Sequence, residues 1–439
     1  MKAEMGSFMG NSILLCTVGG SHQPVLKAIE RNNPAYIHFF CTGKDPASGK
    51  PGSIVQVTGK GNVIKATPED DKPTLPNIPT QAGLDDSKFE PSLVPADDLD
   101  GAWLKIRTGI IELAERFSDA RFIADYTGGT KTMSAALVCA ALERDDVDLQ
   151  LVTGARVDLV RVAAGTERAM MASVARLQLD RAMAPYLNAW GRFAYREAAN
   201  GLENLPITVN DADSTKLQLA LNLSRTLAQW DDFDHAGALK LLQPYGSRVA
   251  HCYPNLIPAL HYLTHEGNEK CEPMRLFDLW LNAQRRAVQG RYDDAVARVY
   301  RLLEWTAQWQ LRRRLDFDTA DFSRERLPKG MAMQPDRDGK FRLGLWSAWQ
   351  VVKADAGMAG PAQMFIKEQE NKLKDLLAMR NFSILAHGFQ PVPAADWHKI
   401  QQWVARYFLP LLRDLASEAG FKRLPEQLPT EFRLKFQQC

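Results

Sequence analysis

The sequence predicts two kinds of structure in one chain: an α/β domain at the N-terminus and an all-helical region behind it. Short apolar runs alternate with helical patterns up to about residue 165. Strand patterns then stop, and helical periodicity continues towards the C-terminus. At 439 residues the chain is also too long for one ordinary core, so two or three domains are expected.

The N-terminal part carries the strand patterns. Strands are expected at Ile13–Val18, Tyr36–Cys41, Phe122–Tyr126, Leu149–Val152 and Asp158–Val162, with one or two weaker strands around Ile54–Val57. Helices are expected at Pro24–Arg31, from a cap at Asp97 to Phe117, and at Met133–Arg144. Strands and helices that alternate in this way form a mostly parallel sheet flanked by helices.

The rest of the chain has helical periodicity without a repeat of fixed length. Helices are expected at Ala169–Tyr186, Tyr195–Leu202, Lys216–Gln229, Asp234–Leu242, Arg275–Gln289, Tyr292–Arg314, Gln363–Ala386 and Trp397–Ala419. The tryptophans of this half, among them Trp280, Trp309 and Trp349, are most simply core residues.

Composition excludes several classes of protein. The hydrophobic fraction of 45% and the charged fraction of 24% are those of a soluble globular chain. Six scattered cysteines without a C-x-x-C pair argue against a disulfide framework and for a reducing compartment. No apolar run is long enough to cross a bilayer, and the N-terminus lacks a signal-peptide pattern, so we expect a cytoplasmic protein. The net charge of +2 gives no overall polyanion-binding signature.

Two strand-to-helix junctions are rich in glycine. Thr17, Gly19, Gly20 and Ser21 follow the first strand, and Thr127, Gly128, Gly129, Thr130 and Lys131 follow the strand at Phe122–Tyr126. In an open parallel sheet the ligand crevice lies beyond the carboxyl ends of the strands. Glycines there let backbone N–H groups approach a ligand, and a helix N-terminus favours phosphate. The junctions therefore suit a phosphorylated or nucleotide-like ligand.

A purely structural interpretation of these junctions is also open. Gly128-Gly129 could make a tight turn, and Thr130 could serve only as a helix N-cap. The chain matches neither G-x-G-x-x-G nor the G-x-x-x-x-G-K-[ST] phosphate loop, which disfavours dinucleotide and NTPase sites.

The nine residues Asp125–Met133 resemble the signature of CARF domains, the Rossmann-like sensor modules of CRISPR-associated proteins. The segments Val94–Leu99 and Gly154–Arg156 also fit, and the resemblance spans about residues 10 to 165. It implies a dimer that binds cyclic oligoadenylate in a pocket shared across the two-fold axis, with the first junction as one wall and the second as the other. Some CARF domains slowly cleave their ligand, and Thr130 and Lys131 would be the candidates for that activity here.

Arg380, Asn381 and His387 form the second candidate site. Arg380 and His387 are seven residues apart, which is close to two full helical turns, so they project from one side of the same helix. Leu373, Leu376, Leu377 and Ile384 mark the apolar stripe of that helix. An imidazole carries protons near neutral pH, and a guanidinium makes forked bonds to phosphate. The structural alternative is a helix-terminal His beside the helix stop at Gly388 and Pro391.

The R-N-x5-H spacing, near the end of an all-helical domain, is similar to the R-x4–6-H motif of HEPN ribonucleases. HEPN domains are the usual effectors attached to CARF sensors, and the helix beginning at Tyr292 also resembles their opening helix. We expect this helix to pack against the one that carries Arg380. In that family two motifs meet at a dimer interface and build a composite, metal-independent ribonuclease site.

The resemblances together imply a CARF–HEPN ribonuclease like the Csm-six/Csx-one accessory nucleases of type III CRISPR systems. Residues 1–165 would be the CARF sensor, 166–274 a helical connector and 275–439 the HEPN domain. The expected activity is endonucleolytic cleavage of single-stranded RNA, switched on by cyclic oligoadenylate, in a homodimer that needs no metal or other cofactor.

Other interpretations remain open or are weaker. The chain could be a ligand-sensing regulator whose helical half binds nucleic acid or a partner without catalysis, or a toxin-like HEPN domain held inactive by its sensor. The acidic group around Asp231, Asp234 and His235 is better explained by capping or solvation than by a metal. His261 and His265 lack the H-E-x-x-H order and a third ligand.

Overall fold

The computed structural model describes residues 12–65, 74–153, 156–157, 161–162, 168–205, 211–265, 271–328, 331, 333–335, 337, 340–381, 389–421 and 423–433. The chain divides into two compact units, Met1–Gln178 and Leu179–Cys439. The sequence-based boundaries after residues 165 and 274 stay predictions. In the described part of the chain no helix is both long enough and apolar enough to cross a membrane.

Unit 1 is built around a six-stranded sheet with the order β10-β7-β6-β1-β2-β5. The strands of this sheet are β1 (Ser12–Thr17), β2 (Tyr36–Cys41), β5 (Phe89–Leu93), β6 (Arg121–Asp125), β7 (Val147–Thr153) and β10 (Arg168–Met171). All neighbours are parallel except β10, which is antiparallel to β7. Two small antiparallel pairs lie outside this sheet: β3 (Asn62–Lys65) with β4 (Thr74–Pro76), and β8 (Arg156–Val157) with β9 (Arg161–Val162).

Helices cover both faces of the sheet, which explains the continuous apolar strands. The helices are α1 (Gln23–Asn32), α2 (Val55–Thr58), α3 (Ile78–Gln81), α4 (Leu99–Arg116) and α5 (Lys131–Ala141). Along β1, Ile13 and Leu15 join the core under α4 and α5, whereas Leu14 and Cys16 join the core under α1 and α3. In a strand that is buried on both faces, apolar and polar residues do not alternate. The predicted parallel-sheet α/β domain is confirmed.

Three details of unit 1 differ from the sequence-based prediction. Ile54–Val57 is not a strand: Val55–Thr58 is a short helix that buries Val57, a case where a short apolar run does not distinguish helix from strand. Asp98, not Asp97, caps α4, since its side chain accepts from the Gly101 N–H. Strand β5 was missed because Pro91 interrupts its pattern, which an edge strand tolerates.

Strand β10 replaces the start of a predicted helix. Residues from Ala169 onwards were expected to be helical, but Arg168–Met171 pairs with β7 and the next helix begins only at Ala175. Alanine and methionine favour helices, yet the backbone pairing at the open edge of β7 outweighs that weak preference.

Unit 2 is helical in its described residues. Its helices are α6 (Ala175–Asn188, whose first four residues belong to unit 1), α7 (Tyr195–Glu203), α8 (Asp211–Asp231), α9 (His235–Leu242), α10 (Gly246–Cys252), α11 (Leu256–Thr264), α12 (Glu272–Val288), α13 (Tyr292–Leu315), α14 (Leu345–Ala354), α15 (Pro361–Asn381), α16 (Ala394–Trp403) and α17 (Leu409–Glu418). A π-helical turn at Val404–Phe408 joins α16 to α17. The predicted core tryptophans Trp280, Trp309, Trp349 and Trp403 are buried, whereas Trp305 and Trp346, also expected in the core, are only partly buried against it. The all-α second part is therefore confirmed, with more helices than the sequence indicated.

Candidate ligand-binding and catalytic sites

The two glycine junctions meet at the point where the strand order of the sheet reverses. The chain runs from β1 outwards to β2 and β5 on one side, and from β6 to β7 on the other. Strands β1 and β6 are parallel neighbours, so their carboxyl ends lie side by side. In open α/β sheets this reversal point is where ligands bind. Apart from Thr17, which is the last residue of β1, the predicted ligand residues follow these two strands.

The junctions are in direct contact. The Thr17 hydroxyl donates to the Gly128 carbonyl at 2.7 Å, and Ser134 on α5 donates to the same oxygen at 2.8 Å. A Cβ on Gly19 would lie 2.6 Å from the Gly129 nitrogen, and one on Gly128 would lie 2.3 Å from the Thr17 carbonyl oxygen. Both contacts would be with backbone atoms, which cannot move aside at a low cost in free energy. The glycines therefore permit this close approach of two loops.

Gly129 is needed for a second reason. Its φ is +81°, a left-handed conformation that side chains rarely adopt, and a Cβ there would lie 2.9 Å from the Thr17 Cβ. Thr17 itself is 1% exposed, and its hydroxyl proton is committed to Gly128. Thr17 therefore holds the two loops together and offers no free donor to a ligand.

Thr130 caps α5. Its hydroxyl oxygen accepts from the Met133 N–H at 3.2 Å and donates to the Ala96 carbonyl at 2.6 Å. The first N–H groups of a helix have no partner inside the helix. With that of Met133 satisfied, the N–H groups of Lys131 and Thr132 have no acceptor among the described residues and remain open to an anion. The exposed Lys131 ammonium adds a cation.

A buried carboxylate fixes the start of the second junction. Asp125 accepts from the Thr127 N–H at 3.1 Å and from the Gln150 amide at 3.0 Å, and Asn32 donates to Gln150 at 3.0 Å. The Thr127 hydroxyl accepts from the Val152 N–H at 2.7 Å. Burial raises the pKa of Asp125. Sequence reasoning saw Asp125 only as part of a motif and missed this positioning role.

The structure places the predicted ligand residues in three groups, apart from Thr127, which bonds to Asp125 and Val152. Thr17, Gly19, Gly128 and Gly129 form the contact between the loops. Gly20 and Ser21 instead line a cavity beside β3. Thr130 and Lys131 begin α5. The assignment of all nine residues to ligand binding stays a prediction.

The predicted catalytic motif begins at the end of α15. Arg380 and Asn381 are the last two residues of this helix, but their side chains are outside the described part of the chain. His387 and Ile384 also lie outside the described residues. Nothing in the geometry therefore tests the Arg380, Asn381 and His387 assignment.

The body of α15 is held firmly. Leu373 is fully buried and Leu376 is 3% exposed, as the predicted apolar stripe requires. The Tyr300 hydroxyl on α13 donates to the Leu376 carbonyl, which confirms the expected packing of the helix from Tyr292 against this one. Trp403 donates from its indole nitrogen to Gln369 at 3.0 Å. The motif thus begins at the end of a well-anchored helix.

A buried ion cluster in unit 2 corrects another prediction. Asp231, at the end of α8, pairs with Arg285 at 2.7 Å and with Arg286, both on α12. His235 contacts Asp278 at 3.0 Å. Capping and solvation therefore do not account for Asp231 and His235, although Asp234 does cap α9. The basic partners lie some 50 residues away in sequence, which is why the pattern gave no signal for them.

Comparison with known proteins finds a family match for part of the chain and a fold match for most of it. A family model described as the Csm6 HEPN domain matches residues 265–409. The fold matches Enterococcus italicus Csm6, solved bound to cyclic hexa-2'-fluoro-hexa-dAMP, with a TM-score of 0.54 and 12% identity, over 93% of this chain and 94% of that one. A structure of Can2 from Sulfobacillus thermosulfidooxidans with cyclic tetra-adenylate aligns over 48% of this chain and 58% of that one, at 13% identity. Its TM-score is only 0.23, too low to show a common fold. No curated protein sequence matches the chain.

The family match covers the C-terminal helices, and the fold match extends through the parallel sheet of unit 1. These two findings agree with the architecture predicted from the sequence, an N-terminal Rossmann-like domain followed by a helical effector. Residues 265–409 thus match the Csm6 HEPN family, and the fold of the chain is similar to that of Csm6.

Proposed function

We propose that this protein is a cyclic-oligoadenylate-activated, metal-independent endoribonuclease that cleaves single-stranded RNA in type III CRISPR antiviral defence. The observation that carries the proposal is the Csm6 HEPN match over residues 265–409, a range that contains Arg380, Asn381 and His387. The fold likeness to a Csm6 solved with a cyclic oligonucleotide analogue supports the sensing half of the proposal.

The activator binds at the reversal point of the sheet. Thr17, Gly19, Gly20 and Ser21 form one side of this site, and Thr127, Gly128, Gly129, Thr130 and Lys131 form the other. The open N–H groups at the start of α5 and the Lys131 ammonium suit the phosphodiesters of a cyclic oligoadenylate. The threonine hydroxyls stabilise the loops, because those of Thr17 and Thr130 already donate to backbone carbonyls.

Slow cleavage of the activator at Thr130 and Lys131 stays a prediction. The Thr130 hydroxyl would first have to give up its 2.6 Å bond to the Ala96 carbonyl. That requirement favours a binding role for Thr130 over a chemical one.

In the effector domain, His387 moves protons and Arg380 stabilises charge. Attack of a ribose 2′-hydroxyl on the adjacent phosphorus requires removal of one proton and delivery of another to the leaving 5′-oxygen. His387 performs this transfer, Arg380 offsets the charge of the phosphorane, and Asn381 orients the phosphate or the imidazole. The products are a 2′,3′-cyclic phosphate and a 5′-hydroxyl, and no step requires a metal ion.

One chain supplies too few groups for a complete pocket, so the active species is a homodimer that joins two motifs. The activator favours the dimer pose in which the motifs close around RNA. It can do so only by binding that pose more tightly than the resting one.

The test is cleavage of a labelled single-stranded RNA by the purified protein in excess EDTA, with and without cyclic tetra- or hexa-adenylate. We expect cleavage only with activator, and a loss of at least about a hundredfold in rate for His387→Ala. His398→Ala, an exposed histidine on α16, is the matched control and should cut at the wild-type rate.

Activator-dependent cleavage that survives His387→Ala would disprove the catalytic assignment. Binding of activator without any RNA cleavage would instead favour the non-catalytic regulator. Cleavage abolished by EDTA and restored by Mg²⁺ would remove the claim of metal independence.

A further inference from the structure

A cavity of about 290 Å³ opens beside the first glycine junction in unit 1. It is enclosed by the loop Gly20–Gln23, by residues 51–56 and by the end of β3. Of the nine residues assigned to activator binding, only Gly20 and Ser21 line it. Small-molecule sites usually measure about 300–1,000 Å³, so this cavity has room for one nucleobase and not for a whole cyclic oligonucleotide.

His22 is the notable polar group of this cavity. It is only 4% exposed, and it precedes α1 without capping that helix through its side chain. None of the described residues forms a hydrogen bond with its ring. Its ring nitrogens are not fully buried, so they are open to the cavity and can hydrogen-bond a ligand there.

The protonation state of His22 suits a base. Burial lowers the pKa of His22, so the imidazole is neutral at physiological pH. A neutral imidazole carries one donor and one acceptor nitrogen. The Watson–Crick edge of adenine likewise presents an amino donor beside a ring-nitrogen acceptor.

The other walls fit a base that is joined to a phosphate. Val55 on α2 and Val63 on β3 supply apolar surface. Lys65, at the end of β3, is exposed and has no ion-pair partner in the described part of the chain. The Gln56 amide donates to the Gly19 carbonyl at 2.5 Å, which ties this wall to the glycine junction.

We propose that this cavity holds one adenine base of the cyclic oligoadenylate, with His22 as its hydrogen-bonding partner and Lys65 beside the adjoining phosphate. The assignment rests on the proposed activator and adds residues that the glycine junctions did not indicate. Because Gln56 links the cavity to Gly19, a base seated here also steadies the loop that faces Gly129.

The experiment is isothermal titration of the full-length protein with cyclic tetra- and hexa-adenylate. His22→Ala removes the polar partner, and Val63→Trp fills the cavity from a wall that does not include His22. We expect His22→Ala to raise Kd about three- to tenfold and Val63→Trp to raise it at least about tenfold. Lys65→Ala should also weaken binding, while Lys60→Ala, an exposed lysine that does not line the cavity, should leave Kd unchanged.

A second readout reports the base directly. A cyclic hexa-adenylate that carries one 2-aminopurine should show a fluorescence change on binding to the wild type and a smaller change with Val63→Trp. Circular dichroism spectra that match the wild type establish that each variant is folded. If Val63→Trp does not fold, Lys65→Ala and His22→Ala still test the subsite.

The outcomes separate the two proposals. Wild-type protein that binds no cyclic oligoadenylate overturns the proposed activator, and this subsite with it. Wild-type protein that binds, together with unchanged Kd values for His22→Ala, Lys65→Ala and Val63→Trp, overturns the subsite alone and leaves the proposed function in place.

Discussion

His38 is a buried histidine in unit 1 that no part of the proposed chemistry uses. It is 5% exposed on β2, its Nε2 lies 2.8 Å from the Ser92 hydroxyl on β5, and its Nδ1 is buried without a hydrogen-bond partner. Burial lowers the pKa of His38 from 6.5 to about 4, although the nearby Glu90 carboxylate opposes the shift. The folded state therefore strongly prefers the neutral ring.

Unit 1 should lose stability in acid through this residue. Because the folded pKa is depressed, the contribution is fully present above pH 6.5 and is lost as the pH falls towards 4. The whole effect is at most about 3 kcal/mol. Thermal unfolding between pH 7 and pH 4 should show a flatter pH dependence for His38→Phe than for the wild type, even if the variant is less stable at pH 7. Parallel slopes for the two proteins would refute the assignment.

At the residue level the sequence predicted positions better than roles. Gly19, Gly128 and Gly129 were identifiable because only glycine allows the close approach of the two loops and the positive φ of Gly129, whereas Gly20 has open space around it. The threonine hydroxyls carried no such signal, since a donor free for a ligand and a donor committed to Gly128 or Ala96 look alike in sequence. For His22, the available sign of a binding role in the sequence was its position directly after the Gly-Gly-Ser run.

At the level of elements, a buried ion cluster joins α8 to α12 in unit 2. Asp231 is 7% exposed, and it accepts from the Asn282 amide at 2.9 Å as well as from Arg285 and Arg286. Arg285 is fully buried. Removal of the carboxylate would leave the buried Arg286 without its charge partner and Arg285 with only Asp278 at 3.6 Å, which is far costlier than loss of an exposed pair.

Asp231→Ala should therefore lower the free energy of unfolding by about 3–5 kcal/mol. The neighbouring Asp232 is a matched control, because it pairs with Arg196 at the surface and its loss should cost at most about 1 kcal/mol. Urea unfolding followed by circular dichroism measures both. Equal losses for the two variants would show that the buried pairing does not determine the stability of this helix pair.

The elements that sequence reasoning missed depend on distant partners. Strand β5 contains Pro91 and pairs only on one side, and β10 consists of good helix formers that are recruited by the open edge of β7. In contrast, β1 and β2 are buried on both faces, and α13 has a long helical pattern, so each was predicted within about one or two residues. Local pattern was sufficient where local preference and tertiary pairing agree.

At the level of the whole molecule, the proposed site is incomplete in one chain. Arg380, Asn381 and His387 would supply a cation, an amide and an imidazole, and a symmetric dimer would present two such sets. If both sets act on one RNA, a dimer with a single intact motif loses activity. If each chain acts alone, it keeps half.

Mixed dimers distinguish these cases. Wild-type protein and His387→Ala, exchanged or co-expressed in equal amounts with different tags, would form dimers in about a 1:2:1 ratio. With saturating cyclic oligoadenylate, the composite site predicts about one quarter of the wild-type rate, and independent sites predict about one half. His398→Ala in place of His387→Ala should leave the rate unchanged, which controls for the tags and the exchange. Purified heterodimers that cleave at half the wild-type rate would refute the composite site, because one intact Arg380–His387 motif would then suffice for catalysis.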